Sequence, residues 1–296
     1  AGADSFNVAV GKDAGLSVST GTTNTLIGAL AGDAITVGGG NVALGYSALS
    51  AEDGHSHNVA IGYLALEAQN AGADAFNVAV GSQAGKSVTT GVDNVLIGGL
   101  AGDSITTGNY NIAIGKSALS TEDGNGRNVA IGWQALKDLN AGADAYNVAV
   151  GHDAGKFVTT GVQNTILGGL AGDAITTGNY NTAVGYLALS TEDAHGYNTA
   201  IGRKALTSQN AGADAYNTAV GYNAGFAVTT ALYNTLIGGL AGDALTTGSD
   251  NVAIGRSALG SEDGHGRNVA IGRSALEAQN AGQDAYNVAV GYNAGQ

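Results

Sequence analysis

An asparagine followed by three residues and a glycine recurs along this chain at nearly constant spacing. The first five of these asparagines are Asn7, Asn24, Asn41, Asn58 and Asn77, so the steps between them are 17, 17, 17 and 19 residues. The same four steps then recur, and a period this regular predicts one repeat domain over 1–296 in place of an ordinary globular core. The 70-residue superrepeats are 7–76, 77–146, 147–216 and 217–286, and a partial coil follows at 287–296.

The four steps of a superrepeat define coil types A, B, C and D, and each asparagine is position 1 of its coil. Position 4 is always Val, Ile or Leu, position 5 is always Gly, and position 8 is always Ala. A period near 17 is too short for a pair of helices, but it suits one turn of a solenoid with a short strand at positions 2 to 4. We therefore predict an all-β fold, a parallel β-solenoid or β-roll with 17/17/17/19-residue coils.

Three positions are predicted to hold the coils together. Stacking at about 4.8 Å per coil would make position 4 a continuous interior ladder. The asparagines at position 1 would hydrogen-bond from coil to coil, and the position 5 glycine marks a corner that needs positive φ or close backbone approach. In the first superrepeat these structural residues are Asn7, Asn24, Asn41 and Asn58, Gly11, Gly28, Gly45 and Gly62, and Val10, Ile27, Leu44 and Ile61.

The second half of the coil differs between types. Types A and B carry an apolar residue at position 12, such as Val88 and Ile105, which predicts a second inward strand. Type C instead has the acidic pair Glu-Asp at positions 12 and 13, as in Glu52-Asp53, and type D has two extra residues. We expect the acidic turns to project into solvent.

Position 3 points to the opposite side of the strand from position 4, so it is predicted to face outward. It is Ala in types A, C and D and Leu or Ile in type B, and it is never charged. An exposed apolar stripe of this kind indicates a homo-oligomer, and the alternative is a flatter monomeric solenoid that tolerates surface alanines. The predicted interface residues are Ala9, Leu26, Ala43, Ala60, Leu96, Ala113, Ile166 and Leu236.

Composition excludes several functions. With 11 Lys and Arg against 24 Asp and Glu, the net charge of -13 repels nucleic acid, and the absence of cysteine removes thiolate chemistry and the usual cysteine zinc sites. The apolar stretches are too short for insertion into a membrane. No convergent nucleophile, base and orienting group is indicated, so we do not expect an enzyme. Without a leader sequence or terminal caps, the chain is expected to be a segment of a longer protein.

Calcium is the one cofactor for which the sequence offers candidates. The type D turns combine an asparagine with an aspartate, as in Asn70 and Asp74, and calcium prefers such oxygen ligands. The histidines of type C, His55, His195 and His265, are expected to be solvated turn residues, because about 19 Å separates coils of the same type. The candidate calcium ligands are Asp74, Asp144, Asp214 and Asp284.

Two further patterns suggest other binding functions. Threonine pairs such as Thr89-Thr90 and Thr106-Thr107 resemble the arrays of ice-binding solenoids, although only types A and B carry them. Aromatic residues at position 6 and before the asparagine, such as Tyr46 and Tyr180, can stack on sugars or cover turn backbone. An ice-binding solenoid and a carbohydrate-binding or calcium-dependent adhesin domain are therefore the alternative functions.

The segments Asn-Val-Ala-Ile-Gly (58–62, 128–132 and 268–272) and Asn-Thr-Ala-Val-Gly-Tyr-Leu-Ala-Leu (181–189) carry a resemblance that covers nearly the whole chain. They resemble the head repeats of YadA-like trimeric autotransporter adhesins and the repeats of phage tail fibres and bacterial surface fibres. The resemblance implies a left-handed, trimeric β-roll in surface attachment. The expected function is thus a structural fibre or adhesin segment, at the cell surface or on a virion, that self-associates and contacts a host-surface glycan or protein.

Overall fold

The computed structural model describes residues 5–280 and 282–296. The chain is an all-β parallel β-solenoid of about 17 turns, and the described residues contain no helix. Its contacts divide it into two compact units, Ala1–Tyr146 and Asn147–Gln296, and each unit starts or ends where a superrepeat does. The prediction of one uninterrupted domain over 1–296 stays a prediction.

The strands occupy positions 2 to 4 of every coil, as predicted. In the first unit they are β1 Val8–Val10, β2 Thr25–Ile27, β3 Val42–Leu44, β4 Val59–Ile61, β5 Val78–Val80, β6 Val95–Ile97, β7 Ile112–Ile114 and β8 Val129–Ile131. In the second they are β9 Val148–Val150, β10 Thr165–Leu167, β11 Thr182–Val184, β12 Thr199–Ile201, β13 Thr218–Val220, β14 Thr235–Ile237, β15 Val252–Ile254, β16 Val269–Ile271 and β17 Val288–Val290.

Within each unit, every strand pairs in parallel with the strand of the next coil. The register matches position to position, as when Leu96 lies opposite Ala113 and Ile97 lies opposite Ile114. The same register holds where a 19-residue coil intervenes, because Val59 of β4 lies opposite Val78 of β5. The two extra residues of type D are therefore accommodated outside the strand.

The position 1 asparagines form the predicted ladder from coil to coil. The backbone N–H of Asn24 donates to Asn7 Oδ1 at 2.8 Å, and the N–H of Asn41 donates to Asn24 Oδ1 at 3.0 Å. The side-chain amide of Asn24 donates within its own coil, to the carbonyl of Gly38 at 2.8 Å. Each buried amide thus satisfies backbone groups in two coils, which supports the predicted structural role.

The position 5 glycine is confirmed as the corner of the coil. Gly28 has a φ of +132°, and a Cβ on it would lie 2.7 Å from the carbonyl carbon of Gly45 in the next coil. A side chain therefore has neither a favourable backbone conformation nor space at this position.

The side chains of position 3 fill the interior, and their sizes are complementary to those of the residues at position 9. In types A and B position 9 is glycine, and Leu26 occupies the space: a Cβ on Gly15 would lie 2.7 Å from Leu26 Cδ1. In types C and D position 9 is leucine, such as Leu49, which is fully buried, and position 3 is alanine. The interior is close-packed, so one large residue at either position requires a small one at the other.

The predicted orientation of the strand is therefore wrong. Position 3 faces the interior of its own chain, whereas position 4 lies on the outer face, with Ile27 and Ile61 half-buried and Val10 and Leu44 exposed. The proposed interface residues cannot meet a second chain, because Leu26, Ala43, Ala60, Leu96, Ala113, Ile166 and Leu236 are all fully buried without one. Ala9, in the first coil, is exposed.

The residues at position 12 point inward as predicted, but the second strand predicted there is wrong. Val88 and Ile105 point inward and are fully buried. They do not lie in strands, since the described part of the chain has strands only at positions 2 to 4.

Candidate functional site

The acidic turn of the type C coil is the least expected feature of the interior. Glu52, Glu122, Glu192 and Glu262 are fully buried, whereas the side chain of the adjacent Asp53 is 57% exposed. The expectation that the acidic pair projects into solvent is thus wrong for the glutamate. Its position 12 is an inward position in all four coil types, so the glutamate takes the place that Ile105 holds in type B.

Hydrogen bonds from the preceding coil, from the first residue of the same coil and within the turn fix the geometry of 52–55. The Thr36 hydroxyl donates to the carbonyl of Asp53 at 2.8 Å, and the Asn41 amide donates to the carbonyl of His55 at 2.9 Å. The backbone N–H of His55 donates to Glu52 Oε1 at 2.9 Å. The buried carboxylate is therefore held at one oxygen by its own turn.

The other carboxylate oxygen is not satisfied in the same way. Oε2 of Glu52, Glu122 and Glu192 is buried and makes no close hydrogen bond. Burial raises the pKa of Glu122, and the N–H donors of Asn125 and Ala141 oppose that rise. Burial likewise raises the pKa of Glu192 against the N–H donor of His195. These carboxylates are consequently costly to keep ionised in the interior.

A histidine joins the glutamate and aspartate in three of the four type C coils. Nδ1 of His55, His195 and His265 lies 3.0, 3.5 and 3.4 Å from Oε1 of the glutamate in its own turn. Each Glu-Asp-His group offers ligand atoms within 4.8 Å of one another, and Asn125 takes the place of histidine in the second superrepeat. Each cluster forms inside a single coil, so the distance of about 19 Å between coils of the same type does not prevent it.

One consequence of the buried carboxyl is a pH-dependent stability. The raised pKa of Glu122 means that the folded state binds this proton more tightly than the unfolded state. The stability that the protonated carboxyl of Glu122 contributes is complete below the ordinary pKa of 4.5. This contribution is lost as the pH rises through the pKa of the folded state. Glu122→Gln should therefore raise the melting temperature at about pH 8 and leave it nearly unchanged at about pH 4.

The matched control is Asp123→Asn, which removes a charge from the exposed neighbour. In buffer with EDTA, calorimetry should show a much smaller difference between the two pH values for this variant. Equal effects of Glu122→Gln at both pH values would contradict the argument.

The four predicted calcium ligands accept hydrogen bonds from backbone N–H groups of their own chain. Oδ1 of Asp144 accepts the N–H of Gly126 in the preceding coil at 3.0 Å, and its other oxygen forms an ion pair with Arg127. Asp284 has the equivalent partners Gly266 and Arg267. Asp74 and Asp214 accept backbone N–H groups in the same way. A bound arginine disfavours a cation at the carboxylates of Asp144 and Asp284.

Most of the paired threonines donate their hydroxyl protons to carbonyl groups of the next coil. Thr89 Oγ1 donates to the carbonyl of Thr106 at 3.1 Å, and Thr106 Oγ1 donates to the carbonyl of Asp123 at 2.7 Å. The hydroxyls therefore extend the bonding between coils. This arrangement gives no additional support to ice binding.

The exposed aromatic residues stack on one another. In the second unit Tyr180, Tyr197, Tyr216 and Tyr233 form a column with successive ring centroids 4.9, 4.8 and 5.8 Å apart. Ring faces inside such a column are covered by neighbouring rings, which leaves mainly ring edges for solvent. Stacking of a sugar on those faces is thereby disfavoured.

The outer face of the strands is the largest repeated feature that remains. Positions 2 and 4 point outward in each coil, and they are Val, Ile, Leu or Thr throughout. Most are half-buried, and Leu44, Ile97, Ile201 and Ile237 are 37–41% exposed. Each unit thus presents two adjacent columns of mostly apolar, uncharged side chains.

None of the described residues belongs to a helix with the length and apolar character needed to span a bilayer. No family model, no curated protein and no solved structure matches this chain.

Proposed function

We propose that this chain is a structural segment of an extracellular or virion-borne fibre or adhesin, in which it acts as a spacer and surface-attachment module. The observation that carries the proposal is the unbroken position-to-position register of the strands within each unit. Every coil contributes the same strand, corner and asparagine, so added coils extend the stack without changing its chemistry. Such a design suits a protein whose length and stiffness matter.

The bonding between coils supports the stiffness that a spacer requires. Each unit is held by strand hydrogen bonds, by the buried asparagine ladder, and by threonine hydroxyls that donate to the next coil. The coils follow one another at about 4.8 Å, so each coil adds a small and fixed increment of length. Sliding or bending would break several of these bonds at once.

The outer face of the strands supports the self-association part of the proposal. In a chain with a net charge of -13, positions 2 and 4 are uncharged in every coil. Columns of half-exposed Val, Ile and Leu on one face of a sheet are typical of an interface. We infer that identical chains pack through this face as a homotrimer, with the left-handed coil that the resemblance of the repeats implies.

The self-association is tested with the triple variant Ile97→Glu, Ile201→Glu and Ile237→Glu. All three isoleucines occupy position 4 and are 37–38% exposed in the single chain, so the fold should tolerate the changes. Burying unpaired like charges at a contact between chains costs several kcal/mol. Light scattering should give a trimer mass for the natural chain and a monomer mass for the variant.

A matched control places glutamate at the exposed residues Ala51, Thr121 and Thr191, which share position 11 of type C outside the strands. This control should remain trimeric. A monomeric natural chain, or a triple strand variant that keeps its trimer mass, would rule out association through the strand face while leaving the spacer function open to test.

A further inference from the structure

We propose that the type C turns at 52–55, 192–195 and 262–265 each bind one divalent transition-metal ion, such as Zn²⁺, through the glutamate, the aspartate and the histidine. Carboxylate oxygen and imidazole nitrogen are ligands that Zn²⁺ accepts readily. The ion would bind at the solvent side of a buried carboxylate, and it would tie three side chains of one turn together.

The distances between the ligand atoms fit such an ion. Zinc lies about 2.0 to 2.2 Å from nitrogen and oxygen ligands, so two ligands in a tetrahedral site lie about 3.4 Å apart. The Nδ1 to Oε1 distances are 3.0 Å at His55, 3.5 Å at His195 and 3.4 Å at His265. Asp53 Oδ1 lies 3.9 Å from His55 Nδ1, close enough to complete a three-ligand set after a small rotation.

Unsatisfied buried atoms provide a separate argument. Glu192 is fully buried and its Oε2 makes no close hydrogen bond, and His195 Nδ1 is buried 3.5 Å from Glu192 Oε1 without a hydrogen bond. His265 Nδ1 is buried without a hydrogen-bond partner too. Buried polar atoms are rarely left this way in native proteins. A cation between Glu192 Oε1 and His195 Nδ1 would give the imidazole nitrogen a partner, and it would compensate a charge that is otherwise buried at high cost.

The turn holds these ligands in place before any ion arrives. The Thr176 hydroxyl donates to the carbonyl of Asp193 at 2.8 Å, and the Asn181 amide donates to the carbonyl of His195 at 3.1 Å. The N–H of His195 donates to Glu192 Oε1 at 3.1 Å. A prearranged ligand set loses little conformational freedom on binding, and that favours affinity. The exposed aspartate and half-exposed histidine leave a path for the ion and for a water ligand.

The second superrepeat contains a natural control for this site. Its turn has Glu122 and Asp123 in the same places, but Asn125 replaces the histidine. Three of the four type C turns therefore form a Glu-Asp-His group. A chain that uses these groups should bind three ions, and the fourth turn should bind one only after a histidine is supplied.

The experiment uses the full chain, stripped with EDTA and then incubated with zinc chloride alone. After gel filtration, metal analysis should give three zinc ions per chain, two for His195→Asn and four for Asn125→His. Both variants exchange residues that the same position already carries in another coil, so the fold should persist, and circular dichroism checks it. His152→Asn alters an exposed histidine elsewhere and should leave three.

Any stoichiometry that does not follow this pattern overturns the proposal. Retention of no zinc would show that the three side chains contact one another without holding an ion. A zinc content that is the same in the natural chain, His195→Asn and Asn125→His would show adventitious surface binding. These outcomes are independent of the oligomeric state and therefore of the proposed spacer function.

Discussion

Ala113→Glu should abolish folding of the first unit. Ala113 is the central residue of β7, Ile112–Ile114, and is fully buried between Leu96 and Ala130 of the neighbouring strands. A glutamate there must enter a close-packed interior that has neither the volume nor a partner for a charge. The penalty of several kcal/mol is comparable with the whole stability of a typical domain. A partial loss of the β-type circular dichroism signal, together with loss of the first unit's share of the cooperative thermal transition, would report it.

The adjacent residue provides the control, because Ile114 points to the outer face and is only half-buried. Ile114→Glu should leave a folded chain, and its effect should fall on association. Thr121→Glu, at an exposed residue, should be close to neutral. A folded Ala113→Glu chain together with an unfolded Ile114→Glu chain would mean that the strands face the other way.

Gly115→Ala is the second change for which we expect a large loss. Gly115 occupies position 5 with a φ of +134°, and a Cβ on it would overlap the carbonyl group of Gly132 and lie 2.6 Å from its carbon. Both contacts are with backbone, which cannot move without shifting the next coil. The added methyl group therefore combines an unfavourable backbone conformation with a steric clash, at a cost of about 3 kcal/mol or more. Denaturant titration should show the loss.

Gly99→Ala is the matched control for this substitution. Gly99 has no positive φ that would require glycine, its nearest atom to an added Cβ is 3.9 Å away, and the equivalent residue in the first superrepeat is Ala29. We expect this variant to unfold at the same denaturant concentration as the natural chain. Equal losses for both variants would mean that glycine content, and not the corner, limits stability.

The candidate metal site could have been anticipated only in part from the sequence. Aligning the coils places Glu52 in the same column as Ile35 and Gln69, and an inward column is a signal that the glutamate is buried. The nearness of His55 to that carboxylate does not follow from the alignment. It depends on how the turn folds back, with the N–H of His55 donating to Glu52 Oε1. Side-chain directions in an irregular turn have no periodicity from which they can be read.

The sequence alone determined the coil length, the strand positions, the asparagine ladder and the glycine corner. These features repeat in every coil, and each follows from the backbone requirements of a stacked chain. The tertiary structure alone decided which face of the strand is inside. Both faces are apolar, so alternation does not distinguish them. Volume distinguishes the two faces in the folded chain, because Leu26 at position 3 lies directly against Gly15 and Gly32 at position 9.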